Sequence, residues 1–244
     1  MIERGDDVDT RTQKVETFWR TGQLDTESNV QFGEGGAGTF SDGKLTTRIS
    51  DPRITEVLET FVEQGVPEEI LFLAKAHIGT DILKTVTQGL RRKIQALGGE
   101  VRFRAKLTGI RHHNGKLTGI EVNHEEFIPA EAVILAIGHS ARDTYRILLE
   151  QQVHIEQKPF AVGLRVEHPQ VLINLSQYGV EEHPKLGPAD YQLTYQDSLT
   201  GRGAYAFCMC PGGRVVAAAS QEEGVVTNGM SEYRRDTSIA NSAL

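Results

Sequence analysis

A glycine-rich segment near the amino terminus comes closest to a recognisable ligand-binding motif. Residues 33–45 read GEGGAGTFSDGKL. The first six fit the dinucleotide pattern G-x-G-x-x-G, and residues 38–44 fit most of the triphosphate pattern G-x-x-x-x-G-K-[ST], with Leu45 in place of the final hydroxyl residue. Both patterns use glycines so that backbone N–H groups can approach phosphate oxygens. This segment is therefore the first candidate for contact with an anionic ligand.

Neither pattern has the surroundings that it requires. A dinucleotide loop opens a helix, whereas residues 39–43 (TFSDG) are poor helix formers, and no acid follows in a βαβ unit. A triphosphate loop needs a hydroxyl where Leu45 stands, and Asp42 would place a negative charge beside the phosphates. A flexible surface loop is one interpretation. Ser41 and Lys44 favour another, a loop that lets a planar or anionic ligand touch the backbone.

Composition narrows the class of protein. Hydrophobic residues make up 39% and charged residues 24% of the 244, as in ordinary globular proteins. The net charge of −7 argues against nucleic acid as a partner, because neutralising phosphates needs an excess of Lys and Arg. No apolar run approaches the ~20 residues of a membrane span, and the first ten residues are too charged for a secretory signal. We expect a cytoplasmic protein without a membrane partner.

The two cysteines, Cys208 and Cys210, do not predict a site by their number alone. They are too few for a disulfide framework or a four-ligand metal site, so we expect no metal. We expect the two thiols to point to opposite faces of a strand and to pack as small buried side chains. A disulfide between residues this close would be strained.

Periodicity predicts a mixture of helices and strands. Apolar residues at helical spacing indicate helices at 53–65 and 80–97. Alternation indicates a strand at 100–104, the sequence Asn114-Gly115 predicts a hairpin turn, and the apolar run 132–137 is typical of a strand buried on both faces. From residue 158 onward the chain is rich in predicted antiparallel strands, and its last residues are predicted to be helical.

Several stretches together resemble a known family. They are IERG at residues 2–5, the glycine-rich segment with its flanks, HIGTD, AIGHSARDT, KPFAVGLRVEHPQ, CMCPGG and GVVTNGMS. This combination resembles the bacterial, largely uncharacterised FAD-dependent dehydrogenases of the glutathione-reductase-like flavoprotein superfamily. In such proteins an acid at the end of a strand binds the adenosine ribose, and Glu3 matches that position.

The resemblance implies a role for each matching residue. Glu3 would bind the ribose with Arg4 beside the adenine, the glycine-rich segment would face the flavin and pyrophosphate, and Lys106 and Leu107 would offer backbone groups to adenine. A strand end at residues 136–138 would close over the cofactor, and His139-Ser140 would contact ligand or cap a helix. The implied FAD-binding residues are Glu3, Arg4, Gly33, Gly35, Gly36, Gly38, Ser41, Lys44, Leu45, Lys106, Leu107, Ala136, Ile137 and Gly138.

The implied fold class is α/β with an α+β insert, a partial FAD/NAD(P)-binding Rossmann-like domain beside a β-rich substrate domain. The predicted domains are 1–141, with a helical insert at about 51–78, and 142–244. Because the G-x-G-x-x-G unit that precedes the acid in this family has no counterpart before Glu3, the sequence is expected to be an internal fragment.

Two functions stay open at this point. One is an FAD-dependent oxidoreductase acting on a small molecule, with NAD(P)H as a candidate electron donor and with no assigned catalytic side chain. The other is a non-catalytic remnant that no longer holds FAD and at most binds partners.

Overall fold

A computed structural model describes residues 1–47 and 49–244. The chain forms two compact units, each built from several segments of the sequence. The first unit comprises Met1–Gly36, Ile94–Ala161 and Ser220–Glu222, and the second comprises Ala37–Lys93, Val162–Ala219 and Glu223–Leu244. The glycine-rich segment is thereby shared, with residues 33–36 in the first unit and residues 37–45 in the second. The functional division predicted at residue 141 stays a prediction.

The first unit opens with helix α1, Val8–Thr21. Asp7 caps its amino terminus by accepting hydrogen bonds from the N–H groups of Asp9 and Thr10, and Gly22 ends it with a left-handed φ of +78°. A second helix of this unit, α4, spans Arg142–Glu150.

The predicted hairpin is confirmed. Strands β1 (Leu107–His113) and β2 (Lys116–Val122) pair antiparallel, and β3 (Glu126–Pro129) adds to the far side of β2. Asn114 and Gly115 form the turn with φ values of +49° and +73°, as a type I′ turn requires. Ile120 and Val122 of β2 form a buried cluster with Ala105.

The two other strands predicted in this region do not form. Residues 100–104 contribute only an isolated parallel bridge between Arg102 and Ile2. The apolar run 132–137 lies in no strand, and Ile134 is 94% exposed. Uniform hydrophobicity predicts burial, but a strand also needs hydrogen-bonded neighbours, and none of the described strands is paired with this run.

The second unit begins with the two helices that the sequence predicted. Helix α2 spans Arg53–Glu63 and α3 spans Thr80–Ala96, the latter within this unit as far as Lys93. Short 3₁₀ turns occur at Gly36–Phe40 and Glu68–Leu71. The apolar stripes of the helices enclose a core whose buried members are Val66, Ile70, Ala76, Ile78 and Val86.

Small antiparallel sheets fill the rest of this unit, as the sequence predicted for the region after residue 158. One has the order β4–β10–β7 and the others are hairpins, β5–β6 and β8–β9. The bounds are β4 Arg165–Pro169, β5 Thr194–Gln196, β6 Gly203–Tyr205, β7 Met209–Cys210, β8 Gly213–Ala217, β9 Thr227–Ser231 and β10 Ile239–Ala243. Helix α5, Gln170–Tyr178, follows β4.

The helix predicted at the end of the sequence is wrong, because β10 is a strand there. It pairs with β4 and with β7, which buries Ala240, Asn241 and Ser242. Pairing on both edges outweighs the local helical pattern. The described chain is thus a mixed α/β protein with small antiparallel sheets, and no described helix has the length and apolarity needed to cross a bilayer.

Candidate functional site

The first-unit end of the glycine-rich segment is held by a buried arginine of α1. Arg11 is fully buried, and Glu3 and Glu34 lie close enough to oppose the lowering of its pKa by burial. Its guanidinium donates hydrogen bonds to five backbone carbonyls, those of Asn29, Val30, Gly33, Glu34 and Gly36. Five acceptors match the five donors of a guanidinium, so Arg11 fixes this turn.

The glycines of this turn have backbone geometry that other residues rarely adopt. Gly33, Gly35 and Gly36 have φ values of +117°, +82° and +59°. A Cβ on Gly33 would also lie 2.4 Å from Cδ of Arg11, and a Cβ on Gly5 would lie 2.6 Å from Cα of Gly33. Gly5 and Gly33 therefore need glycine for the protein's own packing, and Gly35 and Gly36 are favoured by their backbone conformation, before any ligand is considered.

Glu3 joins this turn through only one of its carboxylate oxygens. Oε1 accepts hydrogen bonds of 2.9 Å from the N–H groups of Gly5 and Gly33. Within the described part of the chain, Oε2 accepts no hydrogen bond, and the side chain is partly exposed. The carboxylate is thus oriented by the backbone while one oxygen can still accept a hydrogen bond from a ligand hydroxyl.

Arg4 and Lys106 belong to an ion-pair cluster. Arg4 donates to Glu27 at 2.8 Å and to Asp143 at 2.6 and 3.0 Å, and its guanidinium lies 4.2 Å above the ring of Phe32. Nζ of Lys106 contacts the same two carboxylates. Hydrogen bonding to Arg4 and Lys106 keeps the pKa of Asp143 well below its usual range, against the effect of burial.

The backbone groups predicted to meet adenine are engaged within the protein. The N–H of Lys106 donates to Oδ1 of Asn123, and the carbonyl of Lys106 accepts from the N–H of Asn123, both at 2.9 Å. Leu107 is paired with Val122 in the β1–β2 ladder. An adenine contact here would have to replace these bonds.

The closing segment predicted at residues 136–138 is an irregular stretch. Ala136 and Gly138 are exposed and Ile137 is half-buried. Gly138 has a φ of +66°, and a Cβ there would meet no protein atom within 4 Å. The backbone conformation, and not close packing, therefore favours glycine at this position. Its carbonyl accepts a hydrogen bond of 2.7 Å from the Tyr145 hydroxyl. The residue that caps α4 is Ala141, not Ser140.

In the second unit the glycine-rich segment ends on a buried carboxylate. Asp42 is 1% exposed and accepts hydrogen bonds from Nε and Nη2 of Arg235 at 2.8 and 2.6 Å. The Ser231 hydroxyl and Nζ of Lys44 donate to the same carboxylate. Burial raises the pKa of Asp42, but the Arg235 hydrogen bond and the charges of Lys44 and Arg235 outweigh it and lower that pKa to about 2. The cluster carries two positive charges and one negative.

The other residues of this segment that were predicted to bind the cofactor differ in their contacts within the protein. The Ser41 hydroxyl donates to the Gly38 carbonyl at 2.6 Å and accepts from the Gly43 N–H at 3.0 Å, so it stabilises a turn. Leu45 packs against the helical core. Gly38 is exposed, and a Cβ there would meet no protein atom within 4 Å. Lys44 also donates to the Met209 carbonyl at 2.6 Å.

Lys44 lines a cavity of about 410 Å³ within this unit. Its charged walls include Lys75 and Asp190, which pair with each other at 2.9 Å, and Arg235. Because Asp190 offsets Lys75 and Asp42 offsets one of the other two cations, one positive charge is left over. The cavity is large enough for a small molecule and favours an anionic one.

Cys208 lies in the wall of this cavity, and the prediction that the two thiols point apart is wrong. The Sγ atoms of Cys208 and Cys210 are 3.8 Å apart. Successive side chains of a strand alternate between its faces, so residues two apart lie on the same face, and the prediction applied this alternation wrongly. The C-x-C spacing was therefore the signal in the sequence that the two thiols could meet.

The pair is polarised by its surroundings. The hydrogen bond with Cys210 lowers the pKa of Cys208, burial opposes it, and the charges of Lys44 and Arg165 bring that pKa to about 6. The pKa of Cys210 is raised by its hydrogen bond with Cys208 and by burial. These shifts favour ionisation of Cys208 over ionisation of Cys210.

Two comparisons with known proteins bear on the function. Residues 159–244 match the family model described as FAD-dependent protein, C-terminal domain-like. Over 245 aligned residues the chain is 58% identical to a protein of Clostridium beijerinckii (strain ATCC 51743 / NCIMB 8052) that is named only as an uncharacterized protein. That alignment covers all of this chain and 46% of the relative, so the chain spans about half the length of the curated relative that it matches. The last third of the chain thus resembles a domain of FAD-dependent proteins.

Proposed function

We propose that this chain is part of an FAD-dependent oxidoreductase that acts on a small molecule. The observation that carries the proposal is the match of residues 159–244 to the C-terminal domain of FAD-dependent proteins. The length of the relative, of which the chain covers 46%, supports the view that a longer protein performs the activity. NAD(P)H is the electron donor that we propose, in line with the family resemblance.

The first unit would contribute to the adenosine side of the FAD site through Glu3. Its Oε2 can accept a hydrogen bond from a ribose hydroxyl, while its Oε1 stays bonded to Gly5 and Gly33. Glu3 can therefore bind the ribose of FAD. Lys106 is less suited to bind adenine, because its backbone N–H and carbonyl are both bonded to Asn123. We therefore assign the ribose contact and not the adenine contact.

The second unit would contribute a cavity for the anionic end of a substrate. The resemblance implies that Lys44 is one of the FAD-binding residues, but Asp42 offsets much of its charge, and the surplus belongs to Lys44 and Arg235 together. FAD, when bound, supplies hydride transfer, while the protein supplies position and electrostatics. In this proposal the cluster orients a negatively charged substrate by charge and by the donors that it presents.

A titration of the purified protein with FAD, followed by quenching of flavin fluorescence, tests the ribose contact. Glu3→Gln is the informative variant, because its amide oxygen can still accept from Gly5 and Gly33 while an NH₂ group replaces Oε2. We expect FAD affinity to fall about tenfold, as for a lost charge-assisted hydrogen bond. Glu125→Gln, an exposed residue of the same unit, is the matched control. Equal affinities for the two variants would refute the role of Glu3.

The second candidate function is a non-catalytic remnant that holds no FAD and at most binds partners. Two observations favour it for the 244-residue chain, the engaged backbone of Lys106 and the exposed apolar run 132–137. A protein with native circular dichroism and no FAD affinity would support this alternative.

A further inference from the structure

Two thiols meet at the wall of the 410 Å³ cavity in a way that neither the family match nor the proposed flavin chemistry uses. The Sγ atoms of Cys208 and Cys210 are 3.8 Å apart, and neither cysteine is in a disulfide. Cys208 is partly exposed and lines the cavity, whereas Cys210 is fully buried behind it. A reagent in the cavity therefore reaches Cys208 first, and Cys210 only through Cys208.

Charged groups around the pair favour a thiolate at Cys208. Lys44, with Nζ bonded to the neighbouring Met209 carbonyl, and Arg165, with Nη1 3.4 Å from the Cys208 carbonyl, contribute positive charge. Asp42 opposes them, and it is itself bound by Arg235 and Lys44. On the cavity wall, Lys75 and Asp190 cancel. The hydrogen bond with Cys210 lowers the pKa of the Cys208 thiol most, and the charges of Lys44 and Arg165 lower it further.

A metal site explains the pair less well. Zinc and iron–sulfur centres need about four ligands with sulfur or nitrogen donors. In the part of the chain that the structure describes, no group of three or more His, Cys, Asp or Glu side chains is arranged to hold an ion. Two thiols within reach of each other and open to a cavity on one side point instead to thiol–disulfide chemistry.

We propose that Cys208 and Cys210 form a dithiol redox site that is oxidised by small disulfides carrying negative charge. The Cys208 thiolate attacks one sulfur of the disulfide RS–SR, which forms a Cys208–SR bond and releases RS⁻. The Cys210 thiol then loses its proton to solvent and attacks Sγ of Cys208, which forms the Cys208–Cys210 bond and releases the second RS⁻. Two protein thiols and one disulfide become one protein disulfide and two small thiols, so atoms and electrons balance.

The cations of the cavity explain the charge of the proposed substrate. The Cys208 thiolate offsets the one surplus positive charge, but Lys44 and Arg235 still offer donors that can pair with carboxylates near the sulfurs of a disulfide, and a neutral disulfide has no such groups. A disulfide between residues two apart is strained, which makes the oxidised form easy to reduce again. The site would thus cycle readily, as a redox-active dithiol must.

Mass spectrometry of the purified protein after exposure to oxidised glutathione tests the proposal without FAD, so its outcome is separate from that of the proposed function. We expect the wild type to lose two hydrogens and keep no glutathionyl group. Cys210→Ser should stop with one glutathionyl group on Cys208, and Cys208→Ser should not react. If a variant does not fold, peptide mapping of the partly oxidised wild type gives the same assignment.

The dependence on pH and charge gives a second readout. Alkylation of Cys208 by neutral iodoacetamide should titrate with an apparent pKa below that of an ordinary cysteine thiol. Lys44→Met should raise that pKa and slow oxidation by glutathione disulfide severalfold more than oxidation by neutral hydroxyethyl disulfide. Lys185→Met, an exposed lysine of the same unit, should change neither rate. A wild type whose thiols react only after denaturation, or that ends as a stable mixed disulfide, would overturn the proposal.

Discussion

The two ends of the glycine-rich segment are fixed by opposite charges. At residues 33–36 a buried cation, Arg11, collects five backbone carbonyls. At residues 42–44 a buried anion, Asp42, collects donors from Arg235, Ser231 and Lys44. Glycines with positive φ turn carbonyls inward at the first end, and only a donor can satisfy them.

The difference gives one end of the segment a structural role and the other end a role in binding charged ligands. The guanidinium of Arg11 donates its hydrogen bonds to the backbone, and the side chain has no exposed surface that a ligand could contact. Asp42 gathers two cations of which one charge is left uncompensated, and Lys44 and Arg235 carry that charge to a cavity wall. The first end holds a turn in shape, and the second end presents charge.

The largest expected effect comes from removing the buried cation. Arg11→Met leaves five carbonyls short of a donor, and we expect it to lower the free energy of unfolding by about 4–5 kcal/mol, in the range for breaking a buried ionic network. Urea denaturation measures this. Arg20→Met in the last turn of the same helix is the control, with an expected loss below about 1 kcal/mol. Similar losses for both variants would show that Arg11 does not hold the turn.

The buried anion should matter somewhat less. Asp42→Asn keeps part of the hydrogen bonding, and Lys44 can turn to solvent because its side chain is 25% exposed. We expect a loss of about 3 kcal/mol, against less than about 1 kcal/mol for Asp190→Asn, whose ion pair with Lys75 is solvent-exposed. A loss for Asp42→Asn no larger than that control would contradict the role assigned to the cluster.

The same cluster predicts a dependence on pH. Folding lowers the pKa of Asp42 from 3.8 to about 2, so its contribution to stability is present above about pH 4 and is lost as pH falls through 2. The difference in unfolding free energy between wild type and Asp42→Asn should therefore shrink as the pH is lowered from 4 towards 2. A difference that stays constant across this window would show that the ionised carboxylate is not the source of the stability.

A smaller effect separates the glycines of the segment. Gly33→Ala combines a left-handed φ with a clash against the Arg11 side chain, and we expect a loss of about 2–3 kcal/mol. Gly38→Ala meets no protein atom and should change stability by less than about 0.5 kcal/mol. Thermal or urea unfolding of the two variants measures this. Equal effects would mean that the turn around Arg11 can relax.

Local sequence patterns predicted the elements that depend on local interactions. Helix α3 and the hairpin turn at Asn114-Gly115 follow from spacing and turn chemistry within a few residues. The run 132–137 and the last strand were predicted incorrectly, because strand formation depends on which distant backbone lies alongside.

The sites show the same limit. Glycines 33–43 were visible as an unusual segment, but Arg11 and Arg235 were not predicted, because nothing in the residues around them indicates that they meet the segment from 22 and 193 positions away. The approach of Cys208 to Cys210 was missed for a different reason, because residues two apart were assigned to opposite faces although the period of a strand places them on the same face. The contacts of Arg11 and Arg235 with the glycine-rich segment thus depend on the tertiary structure.

The most direct test of the proposed function compares FAD with FMN in one titration of the purified protein, each followed by flavin fluorescence. FMN has the same ring but lacks the adenosine that Glu3 is proposed to bind. The account predicts that FAD binds more tightly than FMN and that ADP competes with it. Equal binding of the two flavins, or binding that ADP leaves unchanged, would contradict it.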